Sequence, residues 1–141
     1  MLRCASMVRV RFTGGRFSKS SMAAADTKLG PWGEALAAAF LRKRGYHIVA
    51  TNYRSRYGEI DIIAENAEYL VFAEVKTRAG RMLDAPAAAV DARKQRRLIL
   101  AAQYYLQHSP YADASIRFDV VEVTPAGDAW QIHCIPDAFQ C

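Results

Sequence analysis

Residues 69–77 combine the pattern of a buried β-strand with two charged side chains, and they constrain the fold more than any other part of the chain. Side chains alternate between the two faces of a strand. One face of this strand therefore carries two apolar residues, an acid and a base: Leu70, Phe72, Glu74 and Lys76. Residues 59–65 also alternate, and the short turn at 66–68 predicts a hairpin between the two strands. Because a buried ionised group is costly unless it is paired, the pattern predicts a core hairpin that ends in a polar site.

Patterns elsewhere in the chain predict an α/β protein. Residues 31–44 have apolar residues at helical spacing, with Pro31 at the start and Gly45 as the stop. Asp91 is a suitable N-cap for a second helix at 92–107. The other predicted elements are strands at 46–51, 59–65, 69–77, 115–123 and 129–135, with a polar, aromatic turn at 52–58. The order α-β-β-β-α-β-β predicts a mixed sheet flanked by helices.

The first 25 residues differ from the rest of the chain in charge. They contain five basic residues and no acid, which accounts for the whole formal net charge of +5. Any basic surface on the remaining, formally neutral body therefore requires local segregation of charge. We expect residues 1–25 to be a disordered basic leader or an over-long start, with Met22 as the alternative beginning, and residues 26–141 to form one domain. An organellar transit peptide is the alternative for the leader.

Cysteine usage and hydropathy bear on the compartment. Cys4, Cys134 and Cys141 are odd in number and lack the paired spacing of a zinc site. Because no disulfide framework is indicated, we expect a reducing, cytoplasmic setting. No apolar run approaches the roughly 18 residues that span a membrane, so we expect no membrane partner.

Asp61 and Glu74 are candidate metal ligands because the predicted hairpin brings them together. Two like charges about 4 Å apart repel by roughly 1 kcal/mol in water and by about 4 kcal/mol near a protein surface. A divalent cation such as Mg²⁺, which prefers oxygen ligands, relieves that repulsion. Two alternatives remain open: Asp61 caps a turn or pairs with Arg54 or Arg56, and Glu74 with Lys76 forms a salt bridge on a solvated face.

Basic and aromatic residues surround the predicted site in the sequence. Basic side chains contact phosphates, and aromatic rings such as those of Tyr53 and Tyr57 stack on unpaired bases. The basic run at 93–97 opens the second helix, where cations oppose the helix dipole, which hints at an anionic partner. A solvated helix face is the alternative explanation. The candidate nucleic-acid-binding residues are Arg54, Arg56, Arg78, Lys94 and Arg97.

Two strings resemble a known family. Residues 58–63 (Gly-Glu-Ile-Asp-Ile-Ile) and 71–78 (Val-Phe-Ala-Glu-Val-Lys-Thr-Arg) are similar to motifs of the small bacterial YraN-like proteins. These are predicted endonucleases similar to archaeal Holliday junction resolvases, in the PD-(D/E)xK restriction-endonuclease-like superfamily. Residues 33–35, 91–98 and 118–121 extend the likeness. The superfamily's nominal proline before the first aspartate is Ile60 in this chain.

The resemblance implies a restriction-endonuclease-like α/β fold and makes residues 26–141 an endonuclease-like domain. It implies that Asp61, Glu74 and Lys76 form the metal-binding and catalytic set, with Asp61 and Glu74 as ligands of Mg²⁺ or Mn²⁺. It carries Glu34 over as a further catalytic acid, although a favourable position early in a helix is another explanation for that residue.

The expected function is metal-dependent hydrolysis of phosphodiester bonds in branched or structured DNA, during repair or recombination. The alternative is a nucleic-acid-binding module on the same fold that does not cut. Resolvases make two symmetric cuts, so a twofold homodimer is open by analogy.

Overall fold

The computed structural model describes residues 6–11, 29–77, 90–127 and 129–141 of the chain. Within these ranges the protein forms two helices and six strands. The helices are α1 (Leu29–Lys43) and α2 (Ala92–Gln107), and the strands are β1 (Ser6–Arg11), β2 (His47–Ser55), β3 (Gly58–Glu65), β4 (Leu70–Thr77), β5 (Ile116–Ala126) and β6 (Ala129–Phe139). Neither described helix is both long and apolar enough to cross a membrane.

The six strands form one mixed sheet in the order β1-β6-β5-β4-β3-β2. Strands β4 and β5 are parallel, and each of the other described neighbours is antiparallel. A parallel pair requires a crossover connection, and α2 lies within it. From α1 onward the elements follow the order α-β-β-β-α-β-β. The prediction of an α/β fold with a mixed sheet flanked by helices is therefore confirmed.

Each helix covers one face of the sheet. Alternate residues of β3 and β4, such as Ala64 and Val71, pack with α1 in what we call the α1-side core. The residues between them, such as Ile63 and Phe72, pack with Leu98 and its neighbours on α2 in the α2-side core. Both cores are almost completely buried. Successive side chains of these strands thus point to opposite faces of the sheet, and both faces are buried.

The helix ends follow the predicted signals except at the start of α1, which begins at Leu29 rather than at Pro31. Gly45 has φ of +89°, the left-handed conformation that glycine adopts after a helix C-terminus, and α1 stops two residues before it. Asp91 caps α2, since its Oδ1 accepts a hydrogen bond from the Lys94 backbone N–H at 2.8 Å. The predicted span of the second helix, 92–107, is confirmed.

Two parts of the sheet differ from expectation. The predicted turn at 52–58 is mostly strand: β2 continues to Ser55 and β3 begins at Gly58, so only two residues remain in the turn. The leader also contributes a strand, since β1 (Ser6–Arg11) pairs antiparallel with β6. Its alternating sequence, Val-Arg-Val-Arg, suits an edge strand, because charged residues at an edge deter pairing with other chains. The expected disorder is therefore wrong for residues 6–11, while residues 1–5 and 12–25 lie outside the described residues.

Candidate active site

Strands β3 and β4 separate at Asp61. Their antiparallel register runs to the pair Ile62 and Ala73 and then stops. Beyond that point the Asp61 carboxylate oxygen Oδ2 accepts a hydrogen bond from the backbone N–H of Val75 at 2.8 Å. The side chain therefore satisfies a strand donor that a continued ladder would have paired. The separation opens the sheet between two acidic residues.

The backbone around Asp61 is distorted on both strands. Asn52, the residue of β2 that faces Asp61 in the register, has φ of +52° in the left-handed region. Ile60 packs in the α2-side core, whereas Ile62 packs in the α1-side core. Regular alternation over residues 59–65 would place Ile60 and Ile62 on the same face, so that part of the predicted pattern is wrong and the strand is irregular at Asp61.

Glu74 is buried beside Asp61. Only 5% of its surface is exposed, and its carboxylate forms a salt bridge with the ammonium group of Lys94. Lys94 lies in the first turn of α2, so the helix closes over the gap between the strands. Burial lowers the pKa of Lys94, but the hydrogen bond and charge of Glu74, together with Asp61, outweigh burial and raise that pKa overall.

Burial raises the pKa of Asp61 to about 8, and the negative charge of Glu74 adds to the rise. The hydrogen bond from Val75 acts in the opposite direction, while a side-chain hydrogen bond between the two carboxyls and the charge of Glu34 raise the pKa further. The acid pair therefore retains a proton near neutral pH when no cation is bound.

The proton kept by the acid pair leads to a prediction for how the free energy of unfolding of the metal-free protein depends on pH. The unfolded chain releases the Asp61 proton near pH 4, whereas the folded state keeps it until about pH 8. Because the folded state binds more protons in this window, we expect the free energy of unfolding to fall as pH rises from about 4 to about 8. Asp61→Asn is expected to reduce that slope, and urea denaturation in EDTA across this range measures it. An unchanged slope in Asp61→Asn would contradict the assignment.

The donor set fits a hard divalent cation. Mg²⁺ is commonly held by one or two carboxylates, with waters and substrate phosphates completing its shell. Asp61 and Glu74 supply two carboxylates that repel each other without a counter-ion. Among the residues that the structure describes, no three or more His, Cys, Asp or Glu side chains form a metal-binding group. The described residues thus offer two carboxylates, a ligand set with which Mg²⁺ can be held, and no set of three or more such ligands that would enclose a structural metal.

A cleft of about 510 Å³ gives access to the acid pair. It runs between the ends of β3 and β4 and the first turns of α2. Charged residues of both signs line it: Glu59, Asp61, Glu74, Asp91, Arg93, Lys94 and Arg97. The acids lie with the strand ends and the N-cap, and the three cations come from α2. A phosphate in this cleft would meet the cations beside the acid pair.

The other predicted catalytic residues, Lys76 and Glu34, are not among the residues that line this cleft. Lys76 is partly buried and lies two residues beyond Glu74 on β4. Glu34 approaches from α1, where Gly33 packs so closely against the Thr77 side chain at the end of β4 that a Cβ atom has no room. This close packing brings the start of α1 to the separated strands and explains the effect of Glu34 on Asp61.

The predicted nucleic-acid-binding residues fall into different environments. Lys94 and Arg97 line the cleft, and Lys94 is bound to Glu74. Arg54 Nε lies 3.5 Å from Glu59 Oε1 in an exposed ion pair. The Arg56 guanidinium lies 5.0 Å from the Tyr57 ring centroid. Arg78 lies outside the described residues. The expected pairings of Asp61 with Arg54 or Arg56 are not among these contacts.

Sequence reasoning missed a polar row beside Lys76. Lys76 on β4 is in register with Glu122 on β5, and Glu122 is in register with His133 on β6. Glu122 is only 8% exposed, and its Oε2 lies 3.8 Å from His133 Nδ1. The signal available in the sequence was Glu122 itself, an acid within the otherwise apolar pattern of β5. Its position next to Lys76 depends on the parallel pairing, which local periodicity does not reveal.

The part of the chain that contains the site is also the part that resembles known proteins. Residues 33–123, which include every described site residue named above except His133, match the family described as "Uncharacterised protein family UPF0102". The UPF0102 protein STH1475 of Symbiobacterium thermophilum is 48% identical over 114 residues, covering 79% of this chain and 96% of the relative. The UPF0102 protein HRM2_30940 of Desulforapulum autotrophicum is 44% identical over 113 residues, covering 80% and 93%. This chain therefore belongs to the UPF0102 family, whose members are the YraN-like proteins.

Proposed function

We propose that this protein is a metal-dependent endonuclease that hydrolyses phosphodiester bonds in branched or structured DNA, during repair or recombination in the cytoplasm. The observation that carries the proposal is the meeting of Asp61 and Glu74 at the gap between β3 and β4. Even beside the Glu74–Lys94 salt bridge, burial and the charge of Glu74 raise the pKa of Asp61 to about 8, so ionising both acids is unfavourable and a role in binding a cation accounts for the pair.

Asp61 and Glu74 would hold the cation, Mg²⁺ or Mn²⁺. When bound, it supplies Lewis-acid polarisation of the scissile phosphate and activation of the water that attacks it. The chain prepares this position in two ways. The Val75 N–H fixes the orientation of Asp61, and the packing of α2 over the gap shields Glu74 from bulk water. Charge interactions at the site are strengthened by that shielding.

The basic residues would act on the DNA. Lys76, near the acid pair on β4, would stabilise the negative charge that grows on the phosphate oxygens in the transition state.

Glu34, on the α1 side, would orient the attacking water. The Lys94 ammonium group compensates the charge of Glu74 in this structure. With a cation bound at Glu74, the same ammonium group would be available to contact a phosphate. Arg54, Arg56 and Arg97, with Arg78, would hold backbone phosphates.

One observation favours a second candidate, a nucleic-acid-binding module that does not cut. The Lys94 ammonium is already bound to Glu74, so part of the negative charge is compensated without a metal. If this salt bridge persisted in the presence of Mg²⁺, the cleft would bind phosphates without hydrolysing them. Metal-independent DNA binding with no turnover is the result that would favour this candidate.

Replacing Lys76 by alanine tests the endonuclease proposal. We expect Lys76→Ala to slow DNA cleavage by about 10²- to 10³-fold, because a positioned charge next to the reacting phosphate is lost. Single-turnover cleavage with enzyme in excess measures this step. Lys43→Ala, which removes the same charge from the exposed last turn of α1, is the matched control and should retain the wild-type rate. Equal rates for Lys76→Ala and wild type would refute the role of Lys76 in cleavage.

A further inference from the structure

Helix α2 has the composition of a binding surface for an anion. The helix contains four basic residues and no acid. Leu100 in its middle is 45% exposed, and it is the only large hydrophobic residue found exposed among the residues that the structure describes. Leu100 follows Arg96 and Arg97 by about one helical turn, so its exposed side chain lies beside these cations on the helix surface.

Aromatic rings continue this face toward the end of the helix. The ring centroids of Tyr104 and His108 lie 4.2 Å apart with an interplanar angle of 30°. His108 Nδ1 lies 2.8 Å from the Tyr104 carbonyl oxygen, a hydrogen bond that holds the imidazole over the tyrosine. From the β2–β3 hairpin, Tyr57 lies 5.7 Å from Tyr104, and the Arg56 guanidinium lies over Tyr57.

The neighbouring tyrosine shows that this arrangement differs from core packing. Tyr105 turns toward the sheet, where its ring contacts Tyr53 and Phe72 at centroid distances of 5.1 and 6.0 Å. Tyr53 and Tyr57 are both partly buried and pack against the α2-side core. Tyr104 belongs to neither core cluster, and it lies between the partly buried Tyr57 and the exposed His108.

The rings connect to the cleft through Arg97. Arg97 and Gly58 both line the cleft, and a Cβ atom on Gly58 would lie 3.5 Å from Arg97 Cβ. Tyr104 is seven residues beyond Arg97, so it lies on the same side of the helix, about 10 Å further along. We call this path the aromatic-basic strip, formed by Arg56, Tyr57, Arg97, Leu100, Tyr104 and His108.

We propose that the aromatic-basic strip binds an unpaired nucleic-acid strand that leaves the cleft along α2. The inference rests on the proposed function and deepens it, because it assigns the substrate a single-stranded arm next to the cleaved bond. Cations along such a path hold phosphates, while aromatic faces stack on bases of any sequence. Paired bases are already stacked in a duplex, so the rings would favour an unpaired strand over a duplex. The cations of α2, with no acid among them, suit a strand whose phosphates recur along its length.

The test measures binding in EDTA, so its outcome does not depend on cleavage. Fluorescence anisotropy compares a labelled oligothymidine strand with a labelled duplex of the same length, at several salt concentrations. We expect Tyr104→Ala to weaken single-strand binding by about 5- to 150-fold, the loss of one base stack. The duplex affinity and the salt dependence of single-strand binding should stay near wild type. Arg97→Ala should instead make the salt dependence shallower, because a phosphate contact is lost.

Two further variants make the test specific. Gln103→Ala changes the exposed residue beside Tyr104 and should leave both affinities unchanged. His108→Ala, at an exposed position beyond the last residue of α2, should weaken single-strand binding without threatening the core. Unchanged single-strand affinity in Tyr104→Ala and His108→Ala, or an equal loss for strand and duplex, would overturn the inference. A change in sedimentation without a change in DNA affinity would overturn it too, since the strip would then join copies of the chain.

Discussion

Asp61→Asn is expected to slow metal-dependent DNA cleavage by about a thousandfold while leaving the fold intact. The amide cannot supply the negative charge that holds a hard cation. Its oxygen can still accept the hydrogen bond that Asp61 receives from Val75. Removing the charge also relieves the repulsion from Glu74, so the metal-free variant should unfold at a higher urea concentration than wild type at pH 8.

Single-turnover cleavage and urea denaturation of the same Asp61→Asn sample separate the two effects. Asp113→Asn, at an exposed position between α2 and β5, makes the same chemical change away from the cleft and should change neither. If Asp61→Asn lost activity and stability together, the aspartate would be a structural residue. That result would contradict the role of Asp61 as a metal ligand.

The second large effect is expected at Asp119, on the opposite face of the sheet. Asp119 is 1% exposed and accepts two hydrogen bonds from the Arg117 guanidinium, each at 2.8 Å. It also accepts one from the backbone N–H of Asp137 at 3.0 Å. Arg117 in turn donates to the Tyr46 hydroxyl at 2.7 Å. The hydrogen bonds to Asp119 raise the pKa of Arg117, although its burial acts in the opposite direction.

Asp119→Ala is therefore expected to lower the free energy of unfolding by about 3–5 kcal/mol, because it leaves the largely buried Arg117 guanidinium without its carboxylate partner. Urea denaturation followed by circular dichroism measures the loss. The double variant Arg117→Leu with Asp119→Ala should lose less than the sum of the two single variants, because neither charge is then left alone. A loss below about 1 kcal/mol for Asp119→Ala, the range of exposed ion pairs, would contradict this account.

Local sequence patterns were sufficient for the parts of the fold that depend on neighbouring residues. The two helices follow from apolar spacing and from their end signals at Gly45 and Asp91. The Asp61–Glu74 pair follows from a hairpin whose turn is only a few residues long. In both cases the partners are close in the chain, so the period of the pattern determines which side chains meet.

Contacts that depend on long-range pairing were not predictable in the same way. Lys94 was expected to bind DNA phosphate, yet it reaches Glu74 because the crossover after β4 returns α2 over the gap. Glu122 becomes a neighbour of Lys76 only through the parallel register of β4 and β5. The irregularity at Asp61, which places Ile60 and Ile62 in different cores, is equally invisible to an alternating pattern.

Aromatic residues show why composition alone does not assign a binding surface. Tyr53 and Tyr57 both belong to the hairpin segment expected to stack on bases, but β2 extends further than predicted and turns Tyr53 toward Tyr105. Tyr57 lies in the two-residue turn and meets Tyr104 instead. The two rings differ in their contacts because Tyr53 lies within β2, whereas Tyr57 lies in the turn after it. The length of β2 therefore determines which way each ring points.

The most direct test of the central claim is cleavage of labelled junction, flap, duplex and single-stranded DNA with Mg²⁺, with Mn²⁺ and in EDTA. Wild-type protein is expected to cut a branched substrate in the presence of either cation, and cutting should stop in EDTA and in Asp61→Asn. Tight binding with no metal-dependent cutting of any substrate would contradict the endonuclease assignment, and the fold would then serve as a nucleic-acid-binding module.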